Sequence, residues 1–140
     1  MMRRSAAIIT ILLTVGAAAY AGGNREKGDA ALLIDISQLE RMMSTEQPLL
    51  LDIRDDASYR QGHIPGAELL PLSDVQRLGP QIISMDRPIV TYCSCPAEES
   101  SLSAALALRD LGATRVYVLE GGYPAWSRER KPIIKGSSPS

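Results

Sequence analysis

The chain has few of the residues that build covalent or aromatic frameworks. Its 140 residues include two cysteines, one histidine, one tryptophan and no phenylalanine. One residue separates Cys93 from Cys95, so a disulfide between them would close no useful loop, and a disulfide-stabilised scaffold is excluded. The two thiols form only a partial ligand set for a soft metal, and no histidine is close to them in the sequence. We therefore expect neither a metal nor a cofactor.

The chain also lacks a long block of charge of either sign. Its formal net charge is −1 at pH 7. Without residues 1–21, thirteen basic side chains (the fifteen of the chain less Arg3 and Arg4) accompany sixteen acidic ones. This balance predicts neither nucleic acid nor an anionic membrane as a partner.

The first 21 residues have the pattern of a signal peptide. A basic stretch, residues 1–4, precedes an apolar run over residues 6–19, and the sequence Ala-Tyr-Ala at residues 19–21 fits the small-x-small cleavage pattern. We predict cleavage after Ala21 and a periplasmic or otherwise exported protein that is free of the membrane after cleavage. The alternative is an uncleaved anchor over residues 5–21, which would span a bilayer only if tilted.

The rest of the chain has the length of one domain. Residues 22–31 are polar and glycine-rich, which predicts a flexible leader. We predict a single domain over residues 32–133 and a disordered tail over residues 134–140. We expect this protein to be a monomer.

Three apolar runs predict strands that are covered on both faces. They are residues 49–53, 89–92 and 115–119, and none shows the polar alternation of a half-exposed strand. Continuous apolar strands are typical of a parallel sheet.

Helical patterns lie before and between these strands and after the last one. The first covers residues 38–44, with Ser37 as its N-cap and Glu40 completing a capping box. The others cover residues 100–111 and 124–130. This order of elements predicts an α/β fold with a mainly parallel sheet.

Cys93 directly follows the second predicted strand, and its loop leads into a helix that begins near Ser100. The sulfur is therefore expected at the carboxyl edge of the sheet, where open α/β sheets bind their ligands. A loop that enters a helix N-terminus directs backbone N–H groups and the positive end of a dipole at one point, which favours a thiolate. Two cysteines so close together in an exported chain indicate chemistry rather than architecture.

Three motifs carry a family resemblance. The first is Leu-Asp-Ile-Arg at residues 51–54, followed by Tyr59 and by Gly-His-Ile-Pro-Gly-Ala at residues 62–67. The second is the strand that ends in Tyr92 and Cys93, and the third is Leu-Glu-Gly-Gly-Tyr-Pro-Ala-Trp at residues 119–126. In these motifs and their order the chain resembles the rhodanese-like sulfurtransferase domain, from about residue 36 to residue 132.

The resemblance implies a five-stranded parallel sheet flanked by helices and a ping-pong reaction. In that reaction a cysteine thiolate takes a sulfane sulfur from a donor such as thiosulfate, persulfide or polysulfide. The resulting persulfide passes the sulfur to a thiol or cyanide-type acceptor. The resemblance also assigns substrate binding to the loop that follows Cys93, which here consists of Ser94, Cys95, Pro96, Ala97, Glu98, Glu99 and Ser100.

The other motif residues are expected to be structural. Asp52 and Arg54 are predicted to form an ion pair at the strand end. His63 is expected to bond to the backbone of its turn rather than to act as a general base. Gly121 and Gly122 are expected where a positive φ or a close backbone approach is needed.

The loop departs from the pattern of many active members. Residues 93–100 contain no glycine, arginine or lysine, and they include two glutamates. Counting forward from the strand makes Cys93 the nucleophile, whereas counting back from the helix makes it Cys95. We favour Cys93, because the strand match is the better defined and Pro96 removes an N–H group after Cys95.

The two glutamates of the loop oppose a thiolate unless they face solvent or unless Glu98 caps the helix. They would also hold a dianion such as thiosulfate poorly, which favours a less charged donor.

Two other functions remain open for this loop. One is a catalytically silent binding module, and the other is a Cys-x-Cys site for redox chemistry or a soft metal.

Overall fold

The computed structural model describes residues 32–137, so the predicted signal peptide and flexible leader lie outside the described residues. A short 3₁₀ turn at Leu72–Asp74 precedes the third helix. The elements in chain order are β1 (Leu33–Ile34), α1 (Ile36–Thr45), β2 (Leu49–Asp52), α2 (Asp56–Gln61), β3 (Glu68–Leu69), α3 (Val75–Ile83), β4 (Ile89–Tyr92), α4 (Glu99–Asp110), β5 (Val116–Leu119) and α5 (Gly122–Arg128).

The strands form one five-stranded sheet in the order β1-β5-β4-β2-β3, and every neighbouring pair is parallel. This confirms the α/β fold with a parallel sheet flanked by helices. Strand β4 lies in the middle of the sheet, between β5 and β2. The loop that follows Tyr92 therefore begins at the centre of the carboxyl edge.

Both faces of the sheet are covered, as the continuous apolar strands predict. In β2, Leu49 and Leu51 belong to one core cluster, and Leu50 belongs to the cluster on the other side. All four residues of β2 and of β4 are buried. Helices α3 and α4 contribute to the first cluster, whereas Leu39 of α1 and Trp126 of α5 contribute to the second.

The first helix begins earlier than predicted, and its predicted capping box is wrong. Asp35 is the N-cap: its side chain accepts the N–H of Gln38 at 2.7 Å, and the Gln38 side chain accepts the N–H of Asp35 at 2.8 Å. The helix starts at Ile36 because this residue is only 6% exposed and packs in the core as part of the first turn. Ser37 is therefore a helical residue rather than the cap.

The last described residues remain attached to the domain beyond the predicted boundary at residue 133. Ile134 and His63 exchange two backbone hydrogen bonds of 2.9 Å, and the N–H of Gly136 donates to the carbonyl of Arg60 at 2.9 Å. The predicted tail therefore begins with residues that pair with the turn after α2. Within residues 32–137, no helix is long and apolar enough to cross a membrane.

Candidate active site

The loop between β4 and α4 brings both cysteines to the N-terminus of α4. Cys93 is 2% exposed. Its Sγ accepts the backbone N–H of Cys95 at 3.3 Å and lies 3.4 Å from the hydroxyl of Ser101. Burial raises the pKa of the Cys93 thiol, and the Cys95 side chain raises it further, while the hydrogen bonds to Ser101 and to the Cys95 backbone offset this only in part. This thiol is therefore held largely in its protonated form at neutral pH.

Cys95 lies in the opposite environment. Its side chain is partly exposed, and its Sγ is 3.1 Å from the Oγ of Ser100, the second residue of α4. The Ser100 hydroxyl lowers the pKa of the Cys95 thiol, and the Ser100 backbone and the Cys93 thiol lower it further, while burial and the charge of Glu99 act against them. Partial exposure together with a lowered pKa is the combination found in reactive cysteines.

Ser101 is a site residue that the sequence motifs do not identify. It is fully buried, its hydroxyl donates to the carbonyl of Glu98 at 3.0 Å, and its own carbonyl accepts the hydroxyl of Thr91 at 2.8 Å. The signal lies in the helical spacing, because residue 101 continues the buried face formed by Ala104, Ala105 and Leu108. A polar side chain in an otherwise apolar helical row indicates a specific partner.

Glu98 is half-buried, and its side chain does not cap α4. It occupies the N-cap position with φ +54° and makes no side-chain cap bond. Its Oε1 accepts the backbone N–H of Gly121 at 2.7 Å instead. The Glu98 carboxylate thus joins the loop to the turn between β5 and α5.

The remaining loop side chains line the outer surface. Ser94, Pro96, Ala97 and Glu99 are exposed. The carboxylate of Glu99 accepts the N–H of Ala97 at 3.4 Å, a long hydrogen bond within the loop. The negatively charged Glu99 side chain therefore engages one backbone N–H group on the exposed side of the loop.

The Gly121–Gly122 turn packs against the start of the same loop. Both residues have positive φ, +71° and +51°. A Cβ at Gly122 would overlap the carbonyl oxygen of Cys93, and this oxygen also accepts the N–H of Tyr123 at 2.9 Å. The turn thus needs both glycine properties that the sequence indicates, a left-handed backbone and a close approach.

The predicted ion pair between Asp52 and Arg54 is present at the end of β2. The Arg54 guanidinium donates to the Asp52 carboxylate at 2.9 and 2.6 Å, and the hydroxyl of Tyr92 donates to the same carboxylate at 2.8 Å. Burial lowers the pKa of Arg54, but the hydrogen bond and charge of Asp52 outweigh it, so the net pKa is raised. The Arg54 side chain is 8% exposed and lies 4.1 Å from the ring centre of Tyr123. This geometry braces the strand end.

His63 has the environment expected of a structural histidine. Its Nδ1 lies 2.9 Å from the carbonyl oxygen of Tyr59, and its ring stacks on the Tyr59 ring with centroids 3.7 Å apart. The side chain is 3% exposed. Within residues 32–137, no group of three or more histidine, cysteine or carboxylate side chains is arranged to hold a metal ion.

Comparisons with known proteins support the family resemblance that the sequence motifs indicate. The family model of the rhodanese-like domain matches residues 35–129. The chain is 36% identical over 93 residues to the thiosulfate sulfurtransferase GlpE of Pseudoalteromonas translucida, an alignment that covers 66% of this chain and 86% of that relative. It is 39% identical over 95 residues to a sulfurtransferase of Allochromatium vinosum, covering 68% and 86%. A solved rhodanese-like domain from Anabaena sp. matches with a TM-score of 0.66 and 27% identity, covering 74% of this chain and 79% of that domain.

Proposed function

Because this chain belongs to the rhodanese-like domain family, we propose that it is a sulfurtransferase that carries sulfane sulfur as a persulfide on its Cys-Ser-Cys loop. Relatives named as thiosulfate sulfurtransferases support this activity. The observation that carries the proposal is the partly exposed thiol of Cys95, which lies beside the Ser100 hydroxyl at the N-terminus of α4. A dipole and hydrogen-bond donors at one sulfur favour the thiolate that this chemistry needs.

Cys95 is the better candidate for the sulfur that reacts first, although the strand motif favours Cys93. The attacking sulfur must be reached by a donor whose sulfur–sulfur bond points toward it. Cys93 is only 2% exposed, so it leaves little room for such an approach. The opposite pKa directions of the two thiols lead to the same choice. Cys93 then serves as a protonated neighbour that can donate a hydrogen bond to the Cys95 thiolate.

The reaction requires no external oxidant. The Cys95 thiolate attacks the outer sulfur of thiosulfate, a new sulfur–sulfur bond forms, and the original bond breaks as sulfite leaves with the electron pair. In the second half-reaction, an acceptor thiolate attacks the outer sulfur of the persulfide and releases the Cys95 thiolate. Backbone and hydroxyl donors at the start of α4 would stabilise the sulfur charge in both steps.

We propose that the natural donor carries less charge than thiosulfate. Residues 93–100 contain no lysine or arginine. Arg54 is engaged by Asp52 and buried, so it is poorly placed to bind an anion at Cys95. The carboxylate of Glu99 lies on the exposed side of the loop and would repel a dianion. An organic persulfide or polysulfide, which carries at most one negative charge on its sulfur chain, fits this surface better.

An intact-mass measurement tests the function. The purified protein is incubated with polysulfide or thiosulfate, excess donor is removed, and the mass is compared with those of Cys95→Ser and Cys93→Ser. We expect an increase of one sulfur atom in the wild type and in Cys93→Ser, and none in Cys95→Ser. If the added sulfur atom is absent only from Cys93→Ser, the persulfide belongs to Cys93. The absence of any adduct and of sulfur transfer to a thiol acceptor would refute the sulfurtransferase function.

The same spectrum identifies the redox alternative. The Cys95 N–H already contacts the Cys93 sulfur at 3.3 Å, so the two sulfurs belong to one small cluster. A disulfide would appear as a mass lower by two hydrogen atoms. If this species forms without any persulfide, a redox function replaces the proposed one.

A further inference from the structure

The carboxylate of Glu98 connects two segments of the site that are 23 residues apart in the sequence. Its Oε1 accepts the N–H of Gly121 at 2.7 Å in a partly buried position. Hydrogen bonds with one charged partner are shorter and stronger than neutral ones. The length of this contact is within the range of such bonds.

Glu98 also defines where the loop becomes helix. Its backbone has φ +54°, and its carbonyl accepts the N–H of Leu102 at 2.8 Å and the hydroxyl of Ser101 at 3.0 Å. The next residues along the chain are Glu99, Ser100 and Ser101, and the two serines contact the sulfurs of Cys95 and Cys93 respectively. A shift of Glu98 would therefore move both sulfur-binding hydroxyls.

The β5–α5 turn contacts the loop at its other end as well. The carbonyl of Cys93 accepts the N–H of Tyr123 at 2.9 Å and packs against Gly122. The turn thus fixes the loop at Cys93 and again at Glu98. Cys95 lies between these two attachment points, and its own side chain is held by Ser100.

We propose that Glu98 is a positioning residue for the Cys95 thiol: its bond to Gly121 fixes the start of α4 so that Ser100 meets the sulfur. The catalytic consequence rests on the proposed function, but the effect on the thiol does not. For the removal of the Glu98 side chain, the proposal predicts a change in the Cys95 pKa opposite to the one that a simple charge effect would cause. If Glu98 acted mainly by repulsion, removing its charge would favour the thiolate and lower the pKa of Cys95.

The test is the pH midpoint of Cys95 alkylation, measured in a Cys93→Ser background so that only one thiol reacts. Glu98→Ala removes the link, whereas Glu98→Gln keeps an oxygen acceptor without the charge. We expect Glu98→Ala to raise the midpoint by about one pH unit, which lowers the rate at neutral pH about tenfold. Glu98→Gln should restore most of the wild-type value. The matched control is Glu120→Ala, which removes an exposed carboxylate next to Gly121 and should leave the midpoint unchanged.

Glu98→Gly keeps the test decisive if Glu98→Ala does not fold, because glycine adopts a positive φ without strain. A raised midpoint in a Glu98→Gly protein that still unfolds cooperatively supports positioning. An unchanged or lowered midpoint in the alanine or glycine variant overturns it, as does a glutamine variant that behaves like alanine. Alkylation needs no sulfur donor, so a shifted midpoint without any persulfide would uphold the positioning role while refuting the sulfurtransferase function.

Discussion

Gly122 packs directly against the backbone carbonyl of Cys93, and a side chain at residue 122 would overlap that oxygen. The contact joins the turn before α5 to the first residue of the sulfur loop. The N–H of Tyr123 donates to the same oxygen at 2.9 Å. The position of Cys93 therefore depends on a segment that lies about thirty residues later in the chain.

Gly122→Ala is expected to destabilise the protein and displace the loop. The variant adds the cost of a left-handed backbone, roughly 1–2 kcal/mol, to the cost of overpacking, roughly 1–3 kcal/mol. The matched control is Gly66→Ala, because Gly66 has φ +81° but open space around an added Cβ. Urea unfolding of both variants should show the larger loss for Gly122→Ala. Equal losses would mean that backbone conformation alone explains the glycine at residue 122.

The pKa values of the two thiols should lie on opposite sides of the pKa of an ordinary cysteine. The pKa of Cys95 is lowered by the Ser100 hydroxyl and the pKa of Cys93 is raised by burial, so the Cys95 thiolate forms at lower pH. The alkylation midpoint should therefore be lower in Cys93→Ser, where Cys95 is the remaining thiol, than in Cys95→Ser, where Cys93 remains. A higher midpoint in Cys93→Ser than in Cys95→Ser would reverse the assignment of the reactive thiol.

Cys93→Ala is a useful companion to this experiment. Serine at residue 93 keeps a hydroxyl that can donate to the Cys95 sulfur, whereas alanine does not. Because the Cys93 hydrogen bond lowers the pKa of Cys95, the midpoint should be higher in Cys93→Ala than in Cys93→Ser. Identical midpoints would show that Cys93 does not influence the neighbouring thiol.

The central strand and the motif residues were predictable because each depends on local sequence. The predicted strand over residues 89–92 has the bounds of β4, and Asp52 and Arg54 pair within three residues of each other. The two-residue strands β1 and β3 are too short to show a periodic pattern. Their presence in the sheet was implied only by the family resemblance.

The detailed geometry of the site was not readable in the same way. The bond from Gly121 to Glu98 joins residues 23 positions apart, so no local pattern specifies it. Counting along the sequence also does not decide whether Cys93 or Cys95 is the nucleophile. That choice depends on which sulfur is exposed to a donor. Exposure is a tertiary property, and here it separates a 2% exposed thiol from a partly exposed one.

Asp52→Ala should be strongly destabilising. The Asp52 carboxylate is fully buried and accepts hydrogen bonds from Arg54 and Tyr92, and its removal leaves the Arg54 charge without that partner. Removing one member of a buried pair typically costs about 3–5 kcal/mol. The control is Asp56→Ala, which breaks the exposed pair with Arg60 and should cost less than about 1 kcal/mol. Chemical denaturation distinguishes the two, and a small loss in Asp52→Ala would show that the strand end does not depend on this pair.

The N-terminal pattern gives a separate prediction about processing. Because Ala19 to Ala21 fit the cleavage pattern of a signal peptide, we expect the mature protein to begin at Gly22 and to fractionate with soluble exported material. N-terminal sequencing of the protein from its natural host measures this directly. Met1 retained in the membrane fraction would indicate an uncleaved anchor instead.

Glu99→Gln should make thiosulfate a better substrate without a comparable effect on a donor of low charge. The Glu99 carboxylate contacts the N–H of Ala97, and its charge raises the pKa of the Cys95 thiol. Glutamine keeps the size of the side chain but removes the repulsion of both the thiolate and the dianionic donor. Because Glu99 is exposed, the effect is screened, and we expect a decrease in the KM for thiosulfate of roughly two- to fivefold. The advantage should shrink at high salt, where the Debye length falls to about 3 Å at 1 M. The measurement is KM and kcat for thiosulfate and for an organic persulfide, each at low and high ionic strength. An equal gain for both donors at every salt concentration would show that Glu99 acts on the reactivity of the thiol rather than on the selection of the donor by charge.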